Sequence, residues 1–169
     1  SFCGNKVLTT GEGGAVTTNN PSYADEIEVK LNHGAIFKED RFQFITSGFN
    51  YRMTEMQAIM GIEGLKKLDK NIKIRKKIKH KYTEALSELG FIPHLTTHPS
   101  FHNVQSVVFT VPSKINRDGL IQYLKTKGIE STIGTYCLSN TSYYKSKYNN
   151  VQPNSKFLEE NTITFLLLF

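Results

Sequence analysis

The sequence predicts an α/β protein, and three observations carry that prediction. Residues 104–111 read as a strand, residues 116–127 as a helix opened by Asn116, and residues 129–133 as a second strand after Gly128, together a strand-helix-strand unit with short connections. Residues 54–90 are helix-rich, and Ile74, Ile78, Tyr82, Leu86 and Leu89 recur at spacings of three and four, which gives one apolar stripe. Glycines 11, 13 and 14 make a tight corner ahead of Ala15-Val16-Thr17-Thr18, a short alternation that fits a strand.

Taken in order, the chain opens on a single lysine, Lys6, between a hydroxyl-rich approach and Thr9-Thr10-Gly11-Glu12-Gly13-Gly14. A free lysine lies roughly 3.4 pKa units from neutrality at pH 7, about 4.6 kcal/mol for the neutral amine. Burial or a neighbouring cation lowers that cost and turns such a lysine into a reagent. Residues 19–22 punctuate the chain. Residues 23–32 then read as a short helix, with Pro21, Asp25 and Glu26 suited to its start and Gly34 to its stop. Asn32-His33-Gly34 therefore falls at a helix C-terminus. Residues 35–47 lack periodicity and are expected to be loop. Thr54-Glu55-Met56-Gln57 is a capping-box pattern, so Asn50 and Arg52 sit in the turn just before a helix, where polar side chains face a cleft or an interface. A break between two helices is expected at residues 69–71. Pro93 and Pro99 mark residues 93–103 as a linker and a change of domain. Residues 134–153 read as a long loop, residues 155–161 as a short helix and residues 163–169 as a final strand.

Composition narrows the partners. The chain has 169 residues, 38% of them hydrophobic, and 21 Lys and Arg against 15 Asp and Glu give a net charge of +6. That balance favours anions: phosphate-bearing cofactors, nucleotide sugars or nucleic acid. Seven Lys or Arg and no acid fall within residues 70–81, which read as a solvated helix face; no nucleic-acid-reading module accompanies them, and nucleic acid is not an expected partner. Cys3 and Cys137 are too few and too far apart for a disulfide framework or a zinc site, so a reducing, cytoplasmic setting is expected. His80, His94, His98 and His102 lack an accompanying cysteine or acidic cluster, and no metal is expected. No signal peptide is visible, and the closing apolar run of about seven residues is far short of the roughly 20 that span a bilayer, so no membrane is expected.

Two blocks carry a resemblance. Ser1-Phe2-x-Gly-Asn-Lys6-x-Leu-Thr-Thr-Gly-Glu-Gly-Gly14 resembles the cofactor-lysine motif of the DegT/StrS-type nucleotide-sugar aminotransferases, in the Gly-Asn-Lys form of the perosamine-synthase branch. Asn32-His33-Gly34 followed by Gly48-Phe49-Asn50-Tyr51-Arg52-Met53-Thr54 is similar to a second block of that family, in the same order. The resemblance implies a fold-type I transferase dependent on pyridoxal phosphate (PLP). Its parts here would be the end of the PLP-binding large domain (1–53), connecting helices (54–92) and a small C-terminal α/β domain (93–169). It implies transfer of an amino group, usually from glutamate, to a nucleotide-linked keto sugar, commonly at C4, by a homodimer with active sites at the interface. Lys6 is then the lysine bonded to PLP and the proton shuttle. Ser1 and Asn50 contact the cofactor phosphate, Asn50 from the neighbouring subunit. Arg52, Tyr136 and His33 are substrate-contact candidates; a guanidinium suits paired phosphate oxygens.

A motif at residue 1 and an apolar run at the end imply that more sequence belongs on both sides. The resemblance puts the family's aspartate for the pyridinium nitrogen and its ring-stacking aromatic upstream, so residues 1–169 alone are expected to lack a complete site. Three rivals accompany this reading: a dehydratase relative, against which Lys6 itself argues, a PLP-binding regulator without turnover, and an inactive remnant that binds anions.

Overall fold

The computed structural model describes residues 1–97 and 100–167. His98, Pro99, Leu168 and Phe169, which contribute to the predicted linker, histidine spacing and final strand, lie outside the described residues. The chain divides into two compact units, residues 1–69 and 70–169.

The first unit begins with the glycine-rich segment and helix α1 (Pro21–Leu31), capped by Asn20, whose Oδ1 accepts the Ser22 N–H at 3.0 Å. The helix closes where Gly34, at φ +73°, returns its N–H to Val29 O at 2.9 Å. Residues 35–47 are not simply loop: β1 (Ala35–Lys38) and β2 (Arg41–Phe44) form an antiparallel hairpin pairing Ala35 with Phe44 and Lys38 with Arg41. The turn escapes sequence reading because Glu39 and Asp40 take left-handed φ of 54° and 57° in place of the usual glycine or asparagine. Phe37, Phe42 and Phe44 all remain exposed, so no inward-outward alternation marks the strands. Ala15 to Thr18, expected as a strand, has no strand partner among the described residues and is exposed throughout.

Helix α2 (Glu55–Ser87) is a single helix of 33 residues, where a break was expected at residues 69–71. Asp69 and Asn71 are poor helix formers, but their cost is below about 0.7 kcal/mol each, and neither blocks the backbone as proline would. Its start is the predicted capping box: Gln57 N donates to Thr54 Oγ1 at 3.3 Å and Thr54 N to Gln57 Oε1 at 3.0 Å.

The second unit is built on a four-stranded antiparallel sheet of order β3-β4-β6-β5, from β3 (Ile92–Pro93), β4 (Val107–Thr110), β5 (Ser131–Ile133) and β6 (Thr162–Phe165). The predicted strand-helix-strand unit is present as β4, α3 (Arg117–Thr126) and β5, and it straddles β6, which lies antiparallel between its two strands. All four residues of β6 are buried. Val107, Phe109, Ile163 and Phe165 form the core, with Leu120, Ile121 and Leu124 from α3 and Tyr82 and Leu86 from α2 packed against it. Tyr82 stacks on Phe165 at 5.1 Å between ring centroids. Leu89 leaves the predicted stripe because α2 ends at Ser87; it is 61% exposed.

Residues 134–153 hold a 3-10 turn (Leu138–Asn140) and α4 (Ser142–Tyr148) where a plain loop was expected. Serine, threonine and asparagine depress helix propensity, and the tyrosines at 144 and 148, one turn apart with rings stacked at 6.2 Å, offset that. Helix α5 (Pro153–Asn161) leads directly into β6. That junction is clamped by Arg117, whose Nη1 donates to Glu159 O at 2.6 Å and Thr162 O at 2.8 Å while its side chain is only 10% exposed. Arg117→Ala is expected to cost roughly 2 kcal/mol in a denaturation experiment, because two charge-assisted bonds disappear, even though Thr162 O keeps the Gly134 N–H at 3.0 Å. An unchanged midpoint would show the clamp to be idle. No helix among the described residues is long and apolar enough to cross a membrane.

Candidate functional site

Lys6 stands on a loop closed by its own backbone. Phe2 N donates to Gly13 O at 2.8 Å, Thr10 N to Phe2 O at 2.9 Å and Lys6 N to Cys3 O at 3.0 Å. Side chains tighten it: Thr9 Oγ1 donates to Phe2 O at 3.1 Å and Thr10 Oγ1 to Glu12 O at 2.7 Å. Thr10 is buried and Lys6 half-buried, so the lysine projects from a fixed base. Gly13 sits at φ +145°, and a Cβ there would lie 2.9 Å from Thr10 Oγ1 and 3.2 Å from Met53 Cε. Ser1 is exposed, its Oγ 3.1 Å from Cys3 Sγ.

The second motif block is held together by backbone pairing. His33 N donates to Phe49 O at 3.0 Å, Tyr51 N to Leu31 O at 3.1 Å, and Asn32 and Asn50 form an antiparallel bridge. Gly34 and Gly48 meet backbone to backbone, leaving no room for a side chain at either position. His33, at φ +60°, and Asn50 are both exposed. Asn50 Oδ1 accepts from Arg52 Nε at 3.0 Å, which aims the guanidinium and leaves the Asn50 amide NH₂ to donate elsewhere. Arg52 lines a cleft of about 720 Å³ with Val16, Thr17, Ile27, Leu31 and Asn32.

Gln57 ties the two blocks to each other. While its Oε1 completes the capping box, its Nε2 donates to Glu12 O at 2.8 Å, so the start of α2 grips the lysine loop. Lys6, Ser1, His33, Asn50 and Arg52 therefore share the first unit, on segments joined by named bonds. Tyr136 belongs to the second unit, exposed beside the Cys137 turn, where Cys137 N donates to Glu159 Oε1 at 3.1 Å. Sequence reading missed Gln57 as a clamp, and with it Gly61 and Gly64, whose added Cβ atoms would meet Thr10 Cγ2 at 3.2 Å and Leu8 Cδ1 at 2.7 Å. Two glycines three apart inside a helix are the available signal of close approach. Among the described residues, no group of three or more His, Cys, Asp or Glu gathers as a metal-ligand set.

The residues present fit pyridoxal phosphate. Among the described residues no carboxylate ion pair occupies Lys6 Nζ, so an aldehyde would have no carboxylate to displace there. The Ser1 hydroxyl and the Asn50 amide supply uncharged donors of the kind a phosphate accepts.

Comparison with known proteins agrees in sequence and in fold. The DegT/DnrJ/EryC1/StrS aminotransferase family model matches residues 1–167. The chain is 32% identical over 133 residues to a GDP-perosamine synthase of Vibrio cholerae, covering 78% of this chain and 36% of that protein. It is 35% identical over 135 residues to the GDP-perosamine synthase of Caulobacter vibrioides, with the same coverage of 78% and 36%. The putative sugar aminotransferase Spr1654 of Streptococcus pneumoniae, solved in its PLP form, superposes with a TM-score of 0.88 at 24% identity, covering 100% of this chain and 46% of that one. The chain thus spans between about a third and a half of the length of these relatives. With a match along nearly its whole length, the chain belongs to the DegT/DnrJ/EryC1/StrS aminotransferase family.

Proposed function

We propose that this chain serves the PLP-dependent transfer of an amino group from glutamate to C4 of a nucleotide-linked keto sugar, in a cytoplasmic homodimer. The observation that carries the reading is the sealed loop bearing Lys6, fastened through Gln57 Nε2 and Glu12 O to the helix start that follows Asn50 and Arg52. Residues 1–53 are read as the end of the cofactor-binding domain, residues 54–92 as a connector and residues 93–169 as the small domain. The single helix of α2 supports the connector.

Pyridoxal phosphate supplies an electron sink when bound. Lys6 Nζ would hold it, and the same amine would serve as the acid–base group that moves a proton between two carbons. Ser1 Oγ would donate to the cofactor phosphate, and so would the Asn50 amide, from the neighbouring subunit. Arg52, steadied by Asn50 Oδ1, orients the diphosphate of the sugar nucleotide, with His33 and Tyr136 as further contacts to substrate. The deciding experiment incubates the complete enzyme with glutamate and a panel of nucleotide-linked keto sugars. An amino sugar and 2-oxoglutarate in equal amounts are expected. A deoxygenated sugar without amine would instead assign a dehydratase, and no product with any sugar would remove the reading.

A further inference from the structure

Three residues of the basic run 70–81 line a cavity as well as facing solvent. Within the second unit, Lys76, Lys79, His80 and Thr83 of α2 line one side of a cavity of about 410 Å³, and Thr96 and His102 line the other. We propose that this cavity of the second unit is a binding site for a phosphate group, either free phosphate or the phosphate of a small monoester.

Three observations carry it. The lining joins ammonium, imidazole and hydroxyl donors, and among the described residues no carboxylate lines it; that donor set suits a compact anion with several acceptor oxygens. Two of its members are fixed in place. Lys76 Nζ lies 3.8 Å from the centroid of the Phe101 ring, and His102 Nδ1 accepts the Val104 N–H at 3.0 Å, so the neutral ring keeps its proton on Nε2 as a donor. Burial first, then the charges of Lys79, His94 and Lys76, hold His102 below the usual histidine range, which keeps the ring neutral. Lys79, half-buried, contributes where its charge is screened less than at an exposed position. Glu84 Oε1 lies 3.4 Å from His80 Nε2, so that imidazole already has a partner and Lys79 and His102 are the donors offered to the anion beside Lys76.

Titrating inorganic phosphate into the full chain, with ionic strength held constant by chloride, tests the site through backbone amide resonances. Saturable shifts at Thr83, Thr96 and His102 are expected. Lys76→Gln and Lys79→Gln together should weaken the binding at least about tenfold, and the exposed single change Lys76→Gln should weaken it in the same direction. Glycerol phosphate in a parallel titration identifies the source: tighter binding than phosphate assigns a monoester, equal binding assigns the free anion. Shifts that chloride alone reproduces, or an affinity for either anion unchanged in the double variant, overturn the proposal. The readout needs neither PLP nor turnover, so its failure leaves the aminotransferase reading as it was.

Discussion

Replacing Lys6 by alanine is expected to reduce turnover of the complete enzyme by at least about 10³-fold, the scale set by removing a positioned proton-transfer group. The visible absorbance at about 410–430 nm that marks covalently held PLP should vanish with it. Stability should stay within about 0.5 kcal/mol of the parent, because among the described residues the amine makes no ion pair whose loss would matter. The loop is closed by backbone bonds and by Thr9 and Thr10, none of which the substitution touches.

Lys6→Arg separates charge from reactivity. Arginine keeps the cation but cannot be deprotonated in the accessible pH range, so it can neither condense with an aldehyde nor shuttle a proton. Both variants should therefore lose the band, while a purely electrostatic lysine would tolerate arginine. A surviving band in either variant would assign the reacting amine to another residue.

What the sequence disclosed and what it hid follow from the range of the interactions involved. The capping box, the Asn116 cap and the helix ending at Gly34 are local, and each was readable from residues within a turn of one another. The hairpin of residues 35–44 was hidden because its turn residues, Glu39 and Asp40, adopt a backbone shape that their side chains do not advertise. The continuity of α2 was hidden because Asp69 and Asn71 signal a break that the rest of the helix overrides. At the candidate site, Lys6, Asn50 and Arg52 were legible as members of two ordered blocks. The bond between Gln57 and Glu12 was not, since it joins residues 45 apart and Gln57 already had a local role. Recognising family motifs told which residues to watch; only geometry told what fastens one to the other.

The second large effect is expected far from any reacting atom. Gly48→Ala should cost about 3 kcal/mol or more and remove the order of the turn that carries Asn50 and Arg52. A Cβ at residue 48 would overlap Gly34 N and lie 2.7 Å from His33 C and 2.8 Å from Gly34 Cα, all of them backbone. Nothing there can rotate aside. The displaced segment is the one whose Phe49 O accepts from His33 N and whose Tyr51 N donates to Leu31 O, so relieving the clash breaks the pairing that aligns the second motif block. Gly64→Ala is the internal control. Its Cβ meets the far end of Leu8, a flexible side chain, and alanine's gain of about 0.8–1.0 kcal/mol in helix propensity offsets the adjustment, so near-neutral stability is expected. Denaturation curves of the two variants, with PLP absorbance recorded alongside, test this contrast. Equal stability of Gly48→Ala and Gly64→Ala would mean that the Gly34–Gly48 contact does not hold the block together, and the alignment of Asn50 with Arg52 would need another cause.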